Sequence, residues 1–274
     1  MKEQRLELKP WDRVNYPHLK SRAELRKMDL MPAPGVSCAA RVERPKKYGG
    51  NYFLYDKEKT VPLVLTPAQE ERQDRKIQRA ERIQASKDLL KKQREDAAAH
   101  LAALDLEKKY SIVVIDFETT GTYPEWDEIL QVAIIDQDGN ELMNELCSPV
   151  LKTKWKKAQG IHGISPDDVA GKKAFGELAP QVAEILLSAE TVVAYNDPFE
   201  KGFLSWAGLD PDRFTWAPDP MLVFADLHND GRWAKLINAA AFYGYQFSAH
   251  DALQDVRATL HLHKHLLEET LQLE

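Results

Sequence analysis

The spacing of apolar positions changes twice along this chain and divides it into three stretches. Residues 1–66 hold only short apolar runs, broken by Pro, Gly and charge. Val36–Val42 and Asn51–Tyr55 read as strands, joined by the basic, glycine-bearing loop Arg44–Gly50. Ser21 stands three residues before Glu24, the spacing of a capping box, and predicts a short helix ended by Met31-Pro32-Ala33-Pro34-Gly35. So few apolar residues make a small module that docks onto something else. Residues 67–109 have no Gly or Pro after Pro67 and are rich in Ala, Glu, Lys, Gln and Arg, which predicts one long helix. Ile83, Leu90, Ala97 and Leu104 repeat every seven residues, but the positions between them are Lys87, Arg94 and Leu101, which is half a heptad seam. A spacer or packing helix, a dimer contact and a basic nucleic-acid-binding rod all fit it.

From residue 111 the pattern is that of buried strands and amphipathic helices. Ser111–Phe117 is a β-branched run, Ile129–Asp136 a second strand, and Glu141–Ser148 a third after the turn Asp138-Gly139-Asn140. Thr191–Ala194 is a fourth. Helices are predicted from Ser165-Pro166-Asp167-Asp168, over Glu177–Ser188 and Glu200–Ala207, near Arg232–Tyr243, and over Ala252–Glu269. This order predicts an α/β domain over 110–274, a mixed sheet flanked by helices. It is preceded by a long helical linker, 67–109, and a small basic β-containing module, 1–66.

Charge sharpens the division. The net charge of -6 is the sum of +8 over residues 1–110 and -14 over residues 111–274. A basic arm beside an acidic domain fits a polyanionic substrate, held by the arm and acted on through metal-binding carboxylates. Two solvated faces would give the same numbers. No apolar run reaches the ~18 residues of a membrane span, and MKEQRLELKPWDR has no apolar signal core. Cys38 and Cys147 form no CxxC pair. Together these point to a cytoplasmic protein with reduced thiols and no membrane contact.

Three clusters carry candidate chemistry. Asp116-Phe117-Glu118-Thr119-Thr120-Gly121 ends the first strand. Asp116 and Glu118, two apart, face the same side and repel unless a cation lies between them, and hard oxygen donors suit Mg²⁺ or Mn²⁺. A solvated sheet edge carries such pairs too. Thr119, Thr120 and Gly121 form a turn whose N–H groups can meet an anionic ligand. The second cluster, Ala194-Tyr195-Asn196-Asp197-Pro198-Phe199-Glu200, runs from a strand into a helix, where Glu200 also suits the helix dipole. The third is His250-Asp251-Ala252-Leu253-Gln254-Asp255, with the histidine just before the last helix and Asp255 just inside it. His261, His263 and His265 lie further along that helix, as a solvated face or an incomplete zinc site.

In this order and at these separations the clusters resemble the DEDDh exonucleases, the 3′→5′ proofreading-exonuclease superfamily with an RNase H-like fold, over roughly residues 111–269. The resemblance implies that Asp116, Glu118, Glu200 and Asp255 hold two divalent ions, Mg²⁺ or Mn²⁺, with His250 as general base. It implies release of nucleoside 5′-monophosphates from single-stranded DNA or RNA ends. Ile161-His162-Gly163-Ile164 resembles the loop that packs on the terminal bases, and Trp216–Met221, with Asp219, the segment leading to the third motif. Phe117, Phe199, Ile161 and His162 are candidates to stack on bases, with core packing the alternative for the two phenylalanines. Asn196 and the Thr119–Gly121 turn complete the substrate-binding set. The chain departs from the family at Glu200, where aspartate is usual, and at Tyr195, where histidine is frequent; Asp197 is a neighbouring candidate substitute, at a position that does not match the motif. Two other readings stand beside a working exonuclease. One is a 3′-end-binding module weakened by Glu200. The other is a proofreading or processing subunit active only with a protein partner, or as a dimer, through the 67–109 helix.

Overall fold

A computed structural model describes residues 5–65 and 67–273. Packing divides the chain into two compact units between Arg79 and Ala80. In the first unit, β1 (Leu6–Leu8), β4 (Ala40–Val42), β5 (Tyr52–Asp56) and β2 (Leu19–Ser21) form a sheet in that order, and β3 (Leu30–Pro32) pairs separately with β6 (Thr60–Pro62). Leu8, Leu19, Ala40, Val42 and Leu54 form its core. The expected Val36–Val42 strand begins only at Ala40. Four strands of three residues each were missed, because alternation cannot be read over so short a run. The capping box is present: Ser21 N–H donates to Glu24 Oε2 at 2.8 Å and Glu24 N–H to Ser21 Oγ at 3.3 Å, opening α1 (Arg22–Arg26).

Helix α2 (Pro67–Ala103) stops six residues before the expected end. Tertiary bonds take over the backbone there. Lys109 and Tyr110 N–H both donate to Ser188 O, at 2.7 and 3.2 Å, and Lys108 Nζ donates to the carbonyls of Leu187 and Ala189. Most of α2 is polar all round, but Ala97 and Leu101 are buried in the core of the second unit.

The second unit is built on β7 (Tyr110–Thr119), β8 (Ile129–Asp136), β9 (Glu141–Leu146) and β10 (Ala189–Val193), in the order β10-β7-β8-β9. β10 runs parallel to β7, and the other pairs are antiparallel. The helices are α3 (Lys156–His162), α4 (Phe175–Leu187), α5 (Pro198–Trp206), α6 (Pro220–His228), α7 (Leu236–Phe242) and α8 (Ala252–Leu273). Strand alternation sorts the sheet's two faces. Val113, Ile115 and Phe117 join α4 in one core cluster, and Val114, Ala133 and Ile135 join Ala252, Val256 and Leu260 of α8 in another. The helix expected at Ser165–Asp168 is a series of turns. Its reciprocal cap forms, Ser165 N–H to Asp168 Oδ2 at 2.7 Å, but the chain turns away at Gly171, whose φ is +72°. Helix α3, with no side-chain cap, carried no sequence signal. The region near Arg232–Tyr243 is helical only over α7.

Gly208 ends α5 at φ +91°, and a Cβ there would lie 2.3 Å from the Arg94 carbonyl oxygen on α2. Gly208→Ala is expected to destabilise the second unit by about 2–3 kcal/mol. Gly139, at φ +83° with open space around it, is the control that carries the backbone cost without the clash. Equal melting temperatures for Gly208→Ala and Gly139→Ala would refute the close packing of α2 on α5.

Candidate active site

Asp116 and Glu118 lie on the α8-facing side of β7, alternating with Phe117. Asp255 sits in the first turn of α8, directed by two local features. His250 adopts φ +71°, and its N–H donates to Asp255 Oδ2 at 3.0 Å. Asp251 caps the helix, accepting from Leu253 N–H at 3.0 Å, while Gln131, paired in register with Glu118, accepts from Ala252 N–H at 3.4 Å. Ligand atoms of Glu118, His250 and Asp255 all lie within 4.8 Å of one another, a group able to hold a metal ion.

Glu200 enters from the first turn of α5. It is 2% exposed, and its Oε2 is buried with no hydrogen-bond partner. The strand-to-helix turn before it is fixed by Asp219, which caps α6 through Met221 N–H at 2.9 Å and accepts from Asn196 N–H at 3.0 Å and Asp197 N–H at 3.2 Å. Asn196 turns at φ +65°, a conformation its short side chain tolerates. Asp197 is held by Lys201 at 2.6 Å, so the neighbouring carboxylate proposed as a substitute is already paired.

The carboxylates raise one another's pKa. Burial, then the charges of Glu200, Asp255, Glu118 and Asp251, hold Asp116 well above the usual carboxylate range. Burial and the charges of Asp219, Asp197 and Glu118 do the same to Glu200. Burial, then Asp255 and Asp251, push Glu118 up to about 8. Burial raises Asp255 to about 6 against the His250 N–H, with Asp251 adding to the rise. Four mutually repelling carboxylates, one with an orphaned buried oxygen, are a hard-oxygen donor set that fits divalent cations.

Linkage gives a signed consequence. Acids raised in the fold bind protons that the unfolded chain has released, so metal-free stability falls as pH rises from about 5 through 8. In EDTA, Glu118→Gln is expected to remove part of that fall, and Mg²⁺ at about 100 times its Kd to add about 2.7 kcal/mol at pH 8. Thermal melts check both. A wild-type melting temperature that rises from pH 5 to 8 in EDTA, with no effect of Glu118→Gln, would contradict the site.

Other expected positions fall differently. Phe117 is a core residue: it points away from the acids and packs edge-on against Phe175, centroids 5.6 Å apart. Phe199 is half-buried against Phe203, at 4.9 Å, on the same core. Thr119 and Thr120 are 7% exposed and committed internally. Thr119 Oγ1 donates to Gly121 O at 2.5 Å, Thr120 Oγ1 to Asp127 at 3.1 Å, and Thr120 N–H to Glu128 O at 2.8 Å. The Thr120 N–H is therefore not available to an anion. Gly121 is needed for close approach, since a Cβ would stand 2.4 Å from Asp127 Oδ2. Ile161 is 54% exposed at the end of α3. His162 accepts from Ile164 N–H on Nδ1 at 3.0 Å and donates from Nε2 to Thr119 O at 3.2 Å. Burial lowers its pKa, which keeps that neutral tautomer. His261 and His265 are not a solvated pair: His265 stacks on Tyr243 and His261 meets the Tyr243 carbonyl at 3.1 Å. Asp251 and Gln131 were missed, because a helix cap and a strand glutamine carry no distinctive pattern.

Residues 113–263, over half of the chain, match the RNase T family model, described as Exonuclease. The chain belongs to the DEDDh exonuclease family. Over 110 residues it is 30% identical to a DNA polymerase III PolC-type protein of Thermotoga maritima, covering 38% of this chain and 8% of that protein. A second such polymerase, from Thermotoga petrophila, is 28% identical over 110 residues, again with 8% of it covered. Escherichia coli exonuclease I, solved with a dT13 oligonucleotide, aligns with a TM-score of 0.51 at 21% identity, over 60% of this chain and 42% of that one. The second unit has the exonuclease RNase H-like fold. Among the described residues no helix is long and apolar enough to cross a membrane.

Proposed function

We propose that the second unit is a metal-dependent 3′→5′ exonuclease that releases nucleoside 5′-monophosphates from single-stranded DNA or RNA ends in the cytoplasm. The observation that carries this is the convergence of Asp116, Glu118, Glu200 and Asp255 around the partnerless Glu200 Oε2, beside His250. These four carboxylates would hold two divalent ions, Mg²⁺ or Mn²⁺. Bound there, such ions would offset the phosphate's charge and lower the pKa of a water molecule. His250, exposed beside Glu118 and Asp255, accepts the proton as the water oxygen bonds to phosphorus. The P–O3′ bond breaks, giving a 5′-mononucleotide and a strand shortened by one residue. Asp251 and Gln131 position the start of α8 and so the two groups it presents. Ile161, exposed next to the anchored His162, is the candidate to meet the terminal base. Asn196, at the turn before α5, and Gly121, after β7, complete the proposed substrate-binding set.

Time-resolved digestion of 5′-labelled DNA and RNA of one sequence tests the proposal with Mg²⁺, Mn²⁺ or EDTA. A ladder shortening from the 3′ end, present only with metal, is expected. Glu200, a methylene longer than the usual aspartate, is the observation that favours the second reading, a 3′-end binder. No cleavage with binding intact would turn the assignment to that reading, or to a subunit that needs a partner on α2. Faster cutting by Glu200→Asp would mark the glutamate as a detuned ligand.

A further inference from the structure

The first unit gathers arginines and aromatic rings that the sequence holds far apart. Arg13, Arg22 and Arg44 line one groove of about 920 Å³ with Tyr52, Phe53 and Tyr55. β5 sends Leu54 into the core and turns Phe53 and Tyr55 to the opposite face. On that face Arg41 pairs in register with Phe53, and Lys20 with Tyr55. Guanidinium groups stand against each ring: Arg5 5.8 Å from Phe53, Arg13 5.9 Å from Tyr52 and Arg22 5.2 Å from Tyr55. Tyr55 is buried, so the ring left open is Phe53, 44% exposed.

Charge decides the class of partner. Residues 1–66 hold 14 Lys+Arg against 8 Asp+Glu. The acid lining the groove, Glu24, is engaged: against burial, hydrogen bonds from Arg13 and Ser21 hold it down at about 2. That neutralises Arg13 and leaves Arg22 and Arg44 with no carboxylate partner among the described residues. Gly49 and Gly50, at φ +99° and +72°, also line the groove, with nothing within 4 Å of where a Cβ would stand. A ligand can therefore come close to the backbone there. Arg5 and Arg41, beside the Phe53 ring, pair with Glu7, at 3.1 and 4.0 Å, so the free positive charge of the groove is that of Arg22 and Arg44. An exposed ring in a groove with two such guanidinium groups suits a partner that is flat and anionic at once, whereas an apolar protein patch would leave those charges desolvated.

We propose that this groove binds single-stranded nucleic acid, with Phe53 as the stacking surface for a base and Arg22 and Arg44 as phosphate contacts. The site is separate from the exonuclease residues, all of which lie in the second unit. It supplies the attraction that an acidic catalytic unit, -14 over residues 111–274, cannot give to a polyanion.

The test is fluorescence anisotropy with the full chain in EDTA, titrating labelled 20-mers of dT, of rU and of abasic deoxyribose phosphate between 50 and 200 mM salt. The dT and rU arms separate the two sugars. Arg22→Ala with Arg44→Ala is expected to flatten the log–log salt slope by about 1.4, since each single-strand phosphate contact contributes about 0.7. Phe53→Ala is expected to weaken dT or rU binding about tenfold without changing abasic binding, and Phe53→Tyr to restore it. An unchanged slope in the double arginine variant, or abasic strands bound as tightly as dT and rU, would overturn the proposal. So would a wild-type preference for a polyglutamate peptide, which would mark an acidic protein partner. Wild-type cleavage in Mg²⁺ is measured separately, so failure of the exonuclease reading and failure of this one are told apart.

Discussion

Asp116→Ala is expected to lower kcat by at least about 10³-fold, roughly 4 kcal/mol of transition-state stabilisation. Asp116 feels the charges of Glu200, Asp255, Glu118 and Asp251 together, so it stands where the strand, α5 and α8 converge. Removing it takes away the β7 carboxylate that feels acids of both α5 and α8. The same change removes a buried carboxyl whose ionisation is opposed by burial and by four neighbouring acids, so the metal-free protein is expected to melt no lower than wild type. The Mg²⁺-dependent rise in melting temperature should disappear. This pairing of lost turnover with retained stability separates a catalytic role from a structural one. Asp116→Asn, which keeps the shape and removes the charge, is the second variant to compare. Turnover within tenfold of wild type in both would refute the assignment of the site.

His250→Ala is the second large effect, about 10²–10⁴-fold in kcat, the usual contribution of a positioned base. Two roles are open to this residue by geometry, because its ring nitrogen shares a 4.8 Å group with Glu118 and Asp255. A base takes a proton and leaves metal affinity in place. A ligand takes metal affinity with it. The proposed base predicts that His250→Ala keeps the Mg²⁺-dependent thermal shift and that added imidazole restores part of the rate. Loss of the thermal shift together with no rescue would make His250 a ligand instead. The backbone contact from His250 N–H to Asp255 survives the substitution, so Asp255 keeps its partner in the variant.

Much of the second unit was legible because its signals are local. The buried strand Ile129–Asp136 matches its predicted bounds, and the Asp138-Gly139-Asn140 turn follows from a glycine at φ +83° and an aspartate that accepts from the turn's N–H groups. The Ser21–Glu24 box likewise acts within one turn of chain. The residues of the acidic cluster were legible as three motifs, since residue types and spacings carry them. Their convergence came only with the family resemblance and not from local pattern, because β7, α5 and α8 meet through packing of the sheet's two faces. Phe117 makes the distinction plain. Its place inside a motif made it a stacking candidate with core packing as the alternative, and burial against Phe175 puts it in the core. The Ser165–Asp168 box shows the opposite failure, a correct local signal that lacked enough following residues to become a helix.

By itself the sequence determined the α/β order of elements, the long polar helix, the charge division and the residues able to bind metal. Each of these depends on neighbours within a few positions, where propensity and periodicity act. Tertiary structure alone decided that α2 ends at Ala103 and buries Ala97 and Leu101 in the core of the second unit, that Asp197 is paired and Glu200 Oε2 is not, and that Arg13, Arg22 and Arg44 share a groove with Phe53. Those outcomes turn on burial and on which distant groups satisfy one another's hydrogen bonds and charges, and these quantities exist only once the chain has folded.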